Sequence, residues 1–514
     1  MDIAREVDAL IGAGPCAALD FEALEGALRR QVLQRAARGI AHRRTADRSD
    51  YAGPHHPCPC GQRARYAGRR RTRVPTVLGD LTLTRAYYHC PACGQGGCPR
   101  DPALGLAGTS LAPAVTRRVG AVGALVSFAE GSALLQELAG VGVDPTAVER
   151  TAEALGQAIA ADEQAVVEAD PPPLPPTRSL GLDGTGIPMR AAALVGRPGT
   201  QADGTAKTRE VQRCTVWSAE ARDAHGTPVR DAGSVRYAAA IESAASRDTD
   251  TAPAAVTERV GREAARRGFD RVARRVVLGD GAPWIWNLAT EHFPDALQIV
   301  DRFHVKEHLS AVATAIYGPT SAVGQQWAHR RHADLEAGDV AALLRALARH
   351  AAAHEEARRC MDYLAHNRHR MRYAAFRAAG LCTSTGVVEA GCKVAIGTRL
   401  KRAGMHWSLR GANAIIALRC CRLSGRHECR SITFQWCAPA TCTTEHSRYT
   451  LCVLCRREQD GKREKGRAER IEFVSTPADH AREIAHAFID SPAMLPEADP
   501  PAQVDESDPP SPDE

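Results

Sequence analysis

The sequence predicts an α/β fold, with a sheet at its centre, a helical insertion late in the chain, and helical segments and a small β module ahead of it. Three observations lead there. Short apolar runs end on glycine and aspartate, as in Val276-Val277-Leu278-Gly279-Asp280-Gly281 and Leu180-Gly181-Leu182-Asp183-Gly184, the pattern of buried strands that stop at sharp turns. Stretches of helical periodicity alternate with such runs between residues 179 and 305. Cysteines gather in two tight knuckles, Cys58-Pro59-Cys60-Gly61 and Cys90-Pro91-Ala92-Cys93-Gly94, on either side of two candidate strands.

Composition sets the bounds. A chain of 514 residues, 44% hydrophobic and 5% aromatic, has room for roughly two to four domains. The net charge of +6 understates its basic character, because Glu497 to Glu514 holds seven acids and no base, and the rest stands at +13. That excess favours a polyanionic partner. No apolar run reaches membrane length and Met1 to Gly14 lacks a signal-peptide core, so the expectation is a cytoplasmic protein with no membrane partner. Seventeen cysteines, an odd number grouped at 58–98 and 420–455, favour metal binding over a disulfide framework.

In chain order, residues 1–50 are a helical segment, expected as a helical pair over Asp2 to Ala41 with Val7, Leu10, Phe21, Leu24 and Leu28 on its apolar face. Residues 51–105 form a zinc-ribbon-like module. Strands over Arg73–Leu78 and Leu81–Tyr88 turn at Gly79-Asp80, and Cys58, Cys60, Cys90 and Cys93 offer four soft ligands to a tetrahedral, structural Zn²⁺. The first knuckle is irregular because residue 57 is Pro, so His55, His56 and Cys98 stand as alternative ligands. Six arginines between Arg63 and Arg73, with Arg69, Arg70 and Arg71 at their centre, make a basic stripe suited to phosphates. Residues 106–170 are helical, and Ser127–Leu138 with Asp144–Leu155 frame a helix-turn-helix in which Asp144 is the N-cap and Pro145 the first helical residue. Pro171 to Pro176 stops this segment, and residues 171–178 are a linker.

Residues 179–425 hold the α/β domain. Strands at Leu180–Leu182, Gln212–Ser218 and Ser234–Glu242 precede a helix over Thr251–Arg267, a strand at Val276–Leu278, a helix over Trp284–His292 and a strand at Leu297–Val300. Three strands, a helix, a strand, a helix and a strand is the order of an RNase H-like domain. There the first and fourth strands are neighbours, so Asp183 and Asp280, 97 residues apart, face one another just past their strand ends. Two such carboxylates repel unless a divalent cation lies between them, and oxygen-only ligands select Mg²⁺ or Mn²⁺. Glu389, after the helix-start cluster Thr383-Ser384-Thr385-Gly386, supplies a third carboxylate. A helical insertion fills about 306–380.

Taken together, Asp183-Gly184-Thr185-Gly186 with Pro188-Met189, Asp203 to Glu210, Gly279-Asp280-Gly281, Asp301-Arg302-Phe303-His304 and Gly386-Val387-Val388-Glu389 resemble bacterial insertion-sequence transposases of the DDE class, ISKra group. The resemblance runs from about residue 58 to Gly425. It implies an RNase H-like catalytic domain in which Asp183, Asp280 and Glu389 hold two Mg²⁺ (or Mn²⁺) ions, with Asp301 and His304 as an accessory pair before the insertion. The implied activity is cleavage and strand transfer at transposon ends by in-line phosphoryl transfer. The implied partners are double-stranded DNA of ends and target, bound by a homo-oligomer at the bacterial nucleoid. Lys393, Arg399, Lys401 and Arg402 follow Glu389 as candidate phosphate contacts, and Trp407 is either a core residue or a base-stacking one.

The resemblance stops at His427. Cys429, Cys437, Cys442, Cys452 and Cys455, a charged run and an acidic, Pro-rich end follow. An appended out-of-frame sequence explains this change better than a second zinc site at Cys452 and Cys455, and residues 426–514 are expected to be disordered. Two other classes compete: a zinc-ribbon DNA-binding regulator, against which three intact carboxylates count, and an RNase H-like nuclease that cuts without joining.

Overall fold

A computed structural model describes residues 20–164, 174–195, 206–224, 226–241, 255–384 and 386–426, without the side chains of Ala255 and Glu389. All of these lie within one unit, Met1–Glu445. The expectations for the first turns of the chain, for Asp203 to Thr205 and for the stretch beyond Arg426 fall outside the described residues.

The described part of the N-terminal segment is one helix, Phe21–Ala46, and the expected helix ahead of it lies outside the described residues. Asp20 caps it by accepting the Ala23 N–H at 2.8 Å, and Ala37 packs on Val74, Leu81, Leu83 and Leu106 of the module behind it. That module is a four-stranded antiparallel sheet in the order β1 (His55–Pro57), β2 (Arg63–Thr76), β3 (Gly79–His89) and β4 (Gly96–Gly97). β2 begins well before its expected start at Arg73, whereas β3 keeps close to the expected Leu81–Tyr88. The arginine run of β2 shows no clean alternation of apolar and polar residues, yet its main chain pairs with β3 from Arg65 to Thr76 across a bulge between Tyr66 and Arg69.

Three helices follow, Pro113–Leu125, Phe128–Ala139 and Pro145–Gln164. Ser127 and Glu130 close a capping box on the second. Gly140 ends that helix in the left-handed region (φ +65°), and Asp144 caps the third by accepting the Ala147 N–H at 2.9 Å. The expected pair of helices is therefore present, but the second is docked along its length. Gly156 crosses helix Leu409–Leu423 so closely that a Cβ there would lie 1.9 Å from the Ala414 carbonyl oxygen.

The main sheet has five strands in the order β11-β10-β5-β6-β9: β5 (Thr177–Pro188), β6 (Thr208–Trp217), β9 (Arg236–Ala240), β10 (Arg274–Gly279) and β11 (Leu297–Val300). A separate two-stranded ribbon, β7 (Ala221–Arg222) with β8 (Pro228–Val229), sits between β6 and β9 in sequence. β10 runs parallel to β5 and β11, and β6 antiparallel to β5 and β9. β5 continues through Asp183-Gly184-Thr185-Gly186, where a turn was expected. The glycines permit this because β6 side chains lie over them; a Cβ on Gly184 would meet the Glu210 carboxylate at 1.9 Å.

The insertion comprises helices Arg302–Tyr317, Ala322–Ala337, Val340–Ala348, Glu355–Asn367 and Tyr373–Ala378. It shares the sheet's core, since Leu335, Leu343, Leu364 and Tyr373 belong to one apolar cluster with Leu180, Val277 and Ile299. Glu336 is its polar hub, paired with Lys306 at 2.6 Å, Arg302 at 2.9 Å, and Arg377. Burial opposes the charge, but these three cations hold the Glu336 carboxyl at about 2. The C-terminal helix ends at Gly425 (φ +65°), and Arg426, assigned above to the tail, reaches back to Glu163 at 3.1 Å and Glu263 at 3.6 Å. Among the described residues no helix is long and apolar enough to cross a membrane.

Two predictions follow from this packing. Gly156→Ala should destabilise the protein by about 1–3 kcal/mol, reversing the roughly 1 kcal/mol gain that alanine brings on an open helix face; a gain in denaturant unfolding would contradict the close crossing. Because the folded carboxyl of Glu336 lies below its ordinary 4.5, its contribution is present above about pH 4.5 and lost as pH falls toward about 2. Glu336→Gln should flatten that part of the acid-unfolding curve and lower stability at neutral pH.

Candidate functional site

Among the described residues one group of side chains is packed as metal ligands are, and sheet register brings a second set, of carboxylates, to neighbouring strand positions. The first closes the small module. Cys58 and Cys60 sit on one knuckle and Cys90 and Cys93 on the other, each knuckle braced by its own main chain: Cys58 N–H to Gln62 at 2.8 Å, Cys90 N–H to Gln95 at 2.7 Å. All four Sγ atoms lie within 4.8 Å of one another, with Cys58 to Cys93 at 3.6 Å and Cys60 to Cys90 at 3.7 Å. A tetrahedron of thiolates around zinc has an edge of about 3.8 Å, so the cluster has the size to hold a structural metal such as zinc. His55, His56 and Cys98 are not part of it. The backbone N–H groups of Cys93 and then Ala92 bring the Cys90 thiol down to about 7, while at Cys58 and Cys93 the backbone donors are outweighed by desolvation and the neighbouring thiols, which push both up. Cys90 therefore gives the thiolate that a metal requires before either of them.

The second cluster lies on the main sheet. Register pairs Gly181 with Leu278, and the same offset two residues on sets Asp183 beside Asp280, at the end of the parallel strands where such sheets meet ligands. Asp280 is half-buried and accepts the Ala282 N–H at 2.8 Å. Gly281 after it needs its φ of +103°, and a Cβ there would strike Tyr363, whose hydroxyl donates to the Asp280 carbonyl at 2.7 Å. Asp183 has a basic neighbour. The buried guanidinium of Arg213, its partner across β6, comes within 3.4 Å, and Cys392 donates to the same oxygen at 2.9 Å. Burial, reinforced by Asp183 and opposed by Arg213, pushes the Cys392 thiol up to about 11, which keeps it a neutral donor.

Glu389 lies on the short helix Gly386–Gly391, which runs into a π-helical turn, Cys392–Gly397. The helix rests on β5 and β6. A Cβ on Gly181 would meet Val388 at 2.2 Å, one on Gly391 would meet Arg213 at 2.4 Å, and Arg213 donates to the Val388 carbonyl. The backbone of all three predicted carboxylates thus converges at one end of the sheet. Glu210 of β6 joins them unpredicted. Although its side chain reaches solvent, partial desolvation, then the charges of Asp280 and Asp183, raise its carboxyl above the ordinary range.

The accessory pair divides. Asp301 is a helix cap, accepting the Phe303 N–H at 2.8 Å while its own N–H donates to Gly279 at 2.7 Å. His304 pairs with Glu307 at 3.3 Å. A second imidazole, His308, stands one turn on, packed between His304 (4.9 Å) and Tyr363 (4.5 Å) and within reach of the Asp280 charge. Burial, then His304, hold its pKa below the usual histidine value, against Glu307 and Asp280. The i, i+4 spacing from His304 was the signal that could have found it.

The expected phosphate contacts also divide. Lys401 is exposed and donates to Thr185, two residues from Asp183, at 2.6 Å. Lys393, beside Cys392, is exposed, as are Arg70, stacked over Tyr87 at 3.5 Å, and Arg71. Arg402 is tied bidentately to Glu130 at 2.5 and 2.8 Å. Arg69 is tied to Asp50 at 2.8 and 3.1 Å. Arg399 is buried, between the rings of Phe128 and Trp407, and donates to the Gly123 carbonyl at 3.0 Å; a guanidinium so enclosed cannot also face DNA in this conformation. Trp407 is buried too, its indole donating to Leu400 at 3.0 Å, which decides for the core role.

Mixed α/β architecture with a four-cysteine cluster is thus the class that the fold and clusters define. A family described as an uncharacterised protein family, UPF0236, matches residues 265–434. That span takes in Asp280, His308 and Glu389 but not Asp183 or the cysteines. No curated protein matches the chain.

One prediction concerns the cysteines. The purified protein should hold one zinc per chain, lost in Cys58→Ser or Cys90→Ser and kept in His55→Ala, His56→Ala and Cys98→Ser. Elemental analysis reads it, and zinc retained in the first pair would remove those thiols from the ligand set.

Proposed function

We propose that this chain is an insertion-sequence transposase of the DDE class, similar to the ISKra group, with an RNase H-like catalytic domain that cleaves transposon ends and joins them to target DNA. The observation that carries the reading is the parallel register that sets Asp183 beside Asp280, with the helix of Glu389 resting over the same strands. The strand order, with the parallel strands β10 and β11 on one side of β5 and, on the other, β6 antiparallel to both β5 and β9, supports the RNase H-like assignment. So does the match to a family common among transposase-like insertion-sequence proteins.

The donor set fits a hard divalent cation. Asp183, Asp280 and Glu210 offer oxygen only, and at Asp183 the two donors Arg213 and Cys392 both take Oδ2, so that Oδ1 accepts from none of the described residues. Asp183, Asp280 and Glu389 would hold Mg²⁺ or Mn²⁺, which when bound supplies Lewis-acid stabilisation of the attacking and departing oxygens. The chain's own residues supply the rest. Asp183 and Asp280 are fixed by donors on their flanks, Lys401 and Lys393 stand at the rim as cations for DNA phosphates, and the exposed Arg70 and Arg71 extend a basic surface on the ribbon. The cysteine cluster keeps that ribbon folded.

Asp183→Asn, Asp280→Asn and Glu389→Gln should each abolish Mg²⁺-dependent cleavage and joining of an element-end substrate while leaving its binding largely intact, since each removes charge at nearly constant shape. Cut ends that are never joined would instead identify a nuclease. End binding with no cleavage by the wild-type protein would identify a DNA-binding regulator.

A further inference from the structure

A buried cation lies beneath the carboxylates, and nothing in the sequence marks it. Arg213 is 1% exposed and pairs with Asp183 across the β5–β6 ladder. Its guanidinium is shared among four partners: Asp183 Oδ2 at 3.4 Å, the Val388 carbonyl, the Thr215 hydroxyl and, through Nε, Cys392 Sγ at 3.2 Å. Cys392 donates in turn to the same Asp183 Oδ2 at 2.9 Å. One oxygen of Asp183 therefore takes both donors, while Oδ1 takes none among the described residues. The two donors stand on different elements. Arg213 is on β6, and Cys392 opens the π-helical turn directly after the Glu389 helix.

We propose that Arg213 and Cys392 are positioning residues that clamp Asp183 by Oδ2 and tie it to the Glu389 helix, so that two cation-binding carboxylates are set relative to one another before any ion arrives. The inference rests on the divalent-cation reading of this site. Val388 and Thr215 take only two of the five N–H donors and neither carries a charge, so the counter-charge comes from Asp183. The bonds to Asp183 and to the thiol that also holds Asp183 are what a positioning role requires. Lysine cannot replace the fork, because a single ammonium does not span four acceptors on three elements.

The test is Mn²⁺ binding to the full-length, zinc-loaded protein, followed by electron paramagnetic resonance, alongside thermal unfolding without Mn²⁺. Cys392→Ala should unfold at the wild-type temperature yet bind Mn²⁺ about 10- to 100-fold more weakly. Cys392→Ser, which keeps a donor, should recover most of that loss, and Arg213→Lys should weaken binding by a similar factor. Wild-type Mn²⁺ affinity in both Cys392→Ala and Arg213→Lys overturns the proposal and leaves the cation site standing. Absence of any Asp183-dependent Mn²⁺ binding in the wild type overturns both. Should Arg213→Lys fail to fold, the Cys392 pair decides alone.

Discussion

Parallel hydrogen bonding between β5 and β10 is the constraint from which the candidate site follows. Once Val276 pairs with Ser179 and Leu278 with Gly181, Asp280 has to emerge beside Asp183, and two carboxylates share one end of the sheet. The fold manages this charge by several devices at once. Arg213 lies beneath Asp183, the Ala282 N–H caps Asp280, and Gly184 leaves room for Glu210 rather than for a side chain of its own. Against one buried guanidinium beneath them stand Asp183, Asp280 and the exposed Glu210, and that excess of carboxylates is the structural reason to expect a cation.

Elsewhere the chain settles its charges internally. Glu336 takes three cations from two other helices of the insertion, and Glu163 with Glu263 gathers Arg259, Arg266, Arg267 and Arg426. Exposed pairs such as Arg359 with Glu355 contribute roughly 0–1 kcal/mol. The enclosed clusters matter differently, because removing one partner strands a desolvated charge. They also fix which cations remain for a polyanion. Arg69, Arg399 and Arg402 are committed to partners within the fold, and Lys401 and Arg71 reach solvent.

Much of this was legible in the sequence. Short apolar runs ending at Asp183 and Asp280 marked two neighbouring strands, and the Cys-Pro-Cys and Cys-x-x-Cys knuckles marked the four thiols that come together. Hidden features share one cause, the dependence on pairing partners. The arginine run of β2 is strand because β3 pairs with it, and Asp183-Gly184-Thr185-Gly186 continues a strand because β6 does. Arg213 and Arg399 look like any arginine until burial is known, and Trp407 owes its core role to Phe128 across the chain. Glu210 lay in a quoted motif, but only β-sheet register brings it to the aspartates. Cys392, three residues after Glu389, needed the π-helical turn to aim its thiol at Asp183.

The central claim is that Asp183, Asp280 and Glu389 surround one divalent-cation centre. Iron-directed hydroxyl-radical cleavage tests it most directly: Fe²⁺ replaces Mg²⁺ on the intact protein, and mass spectrometry maps the broken peptide bonds. The account predicts cuts close to residues 183, 280 and 389 together, suppressed by excess Mg²⁺. Cuts that miss any one of these three segments, or that Mg²⁺ does not suppress, would contradict it.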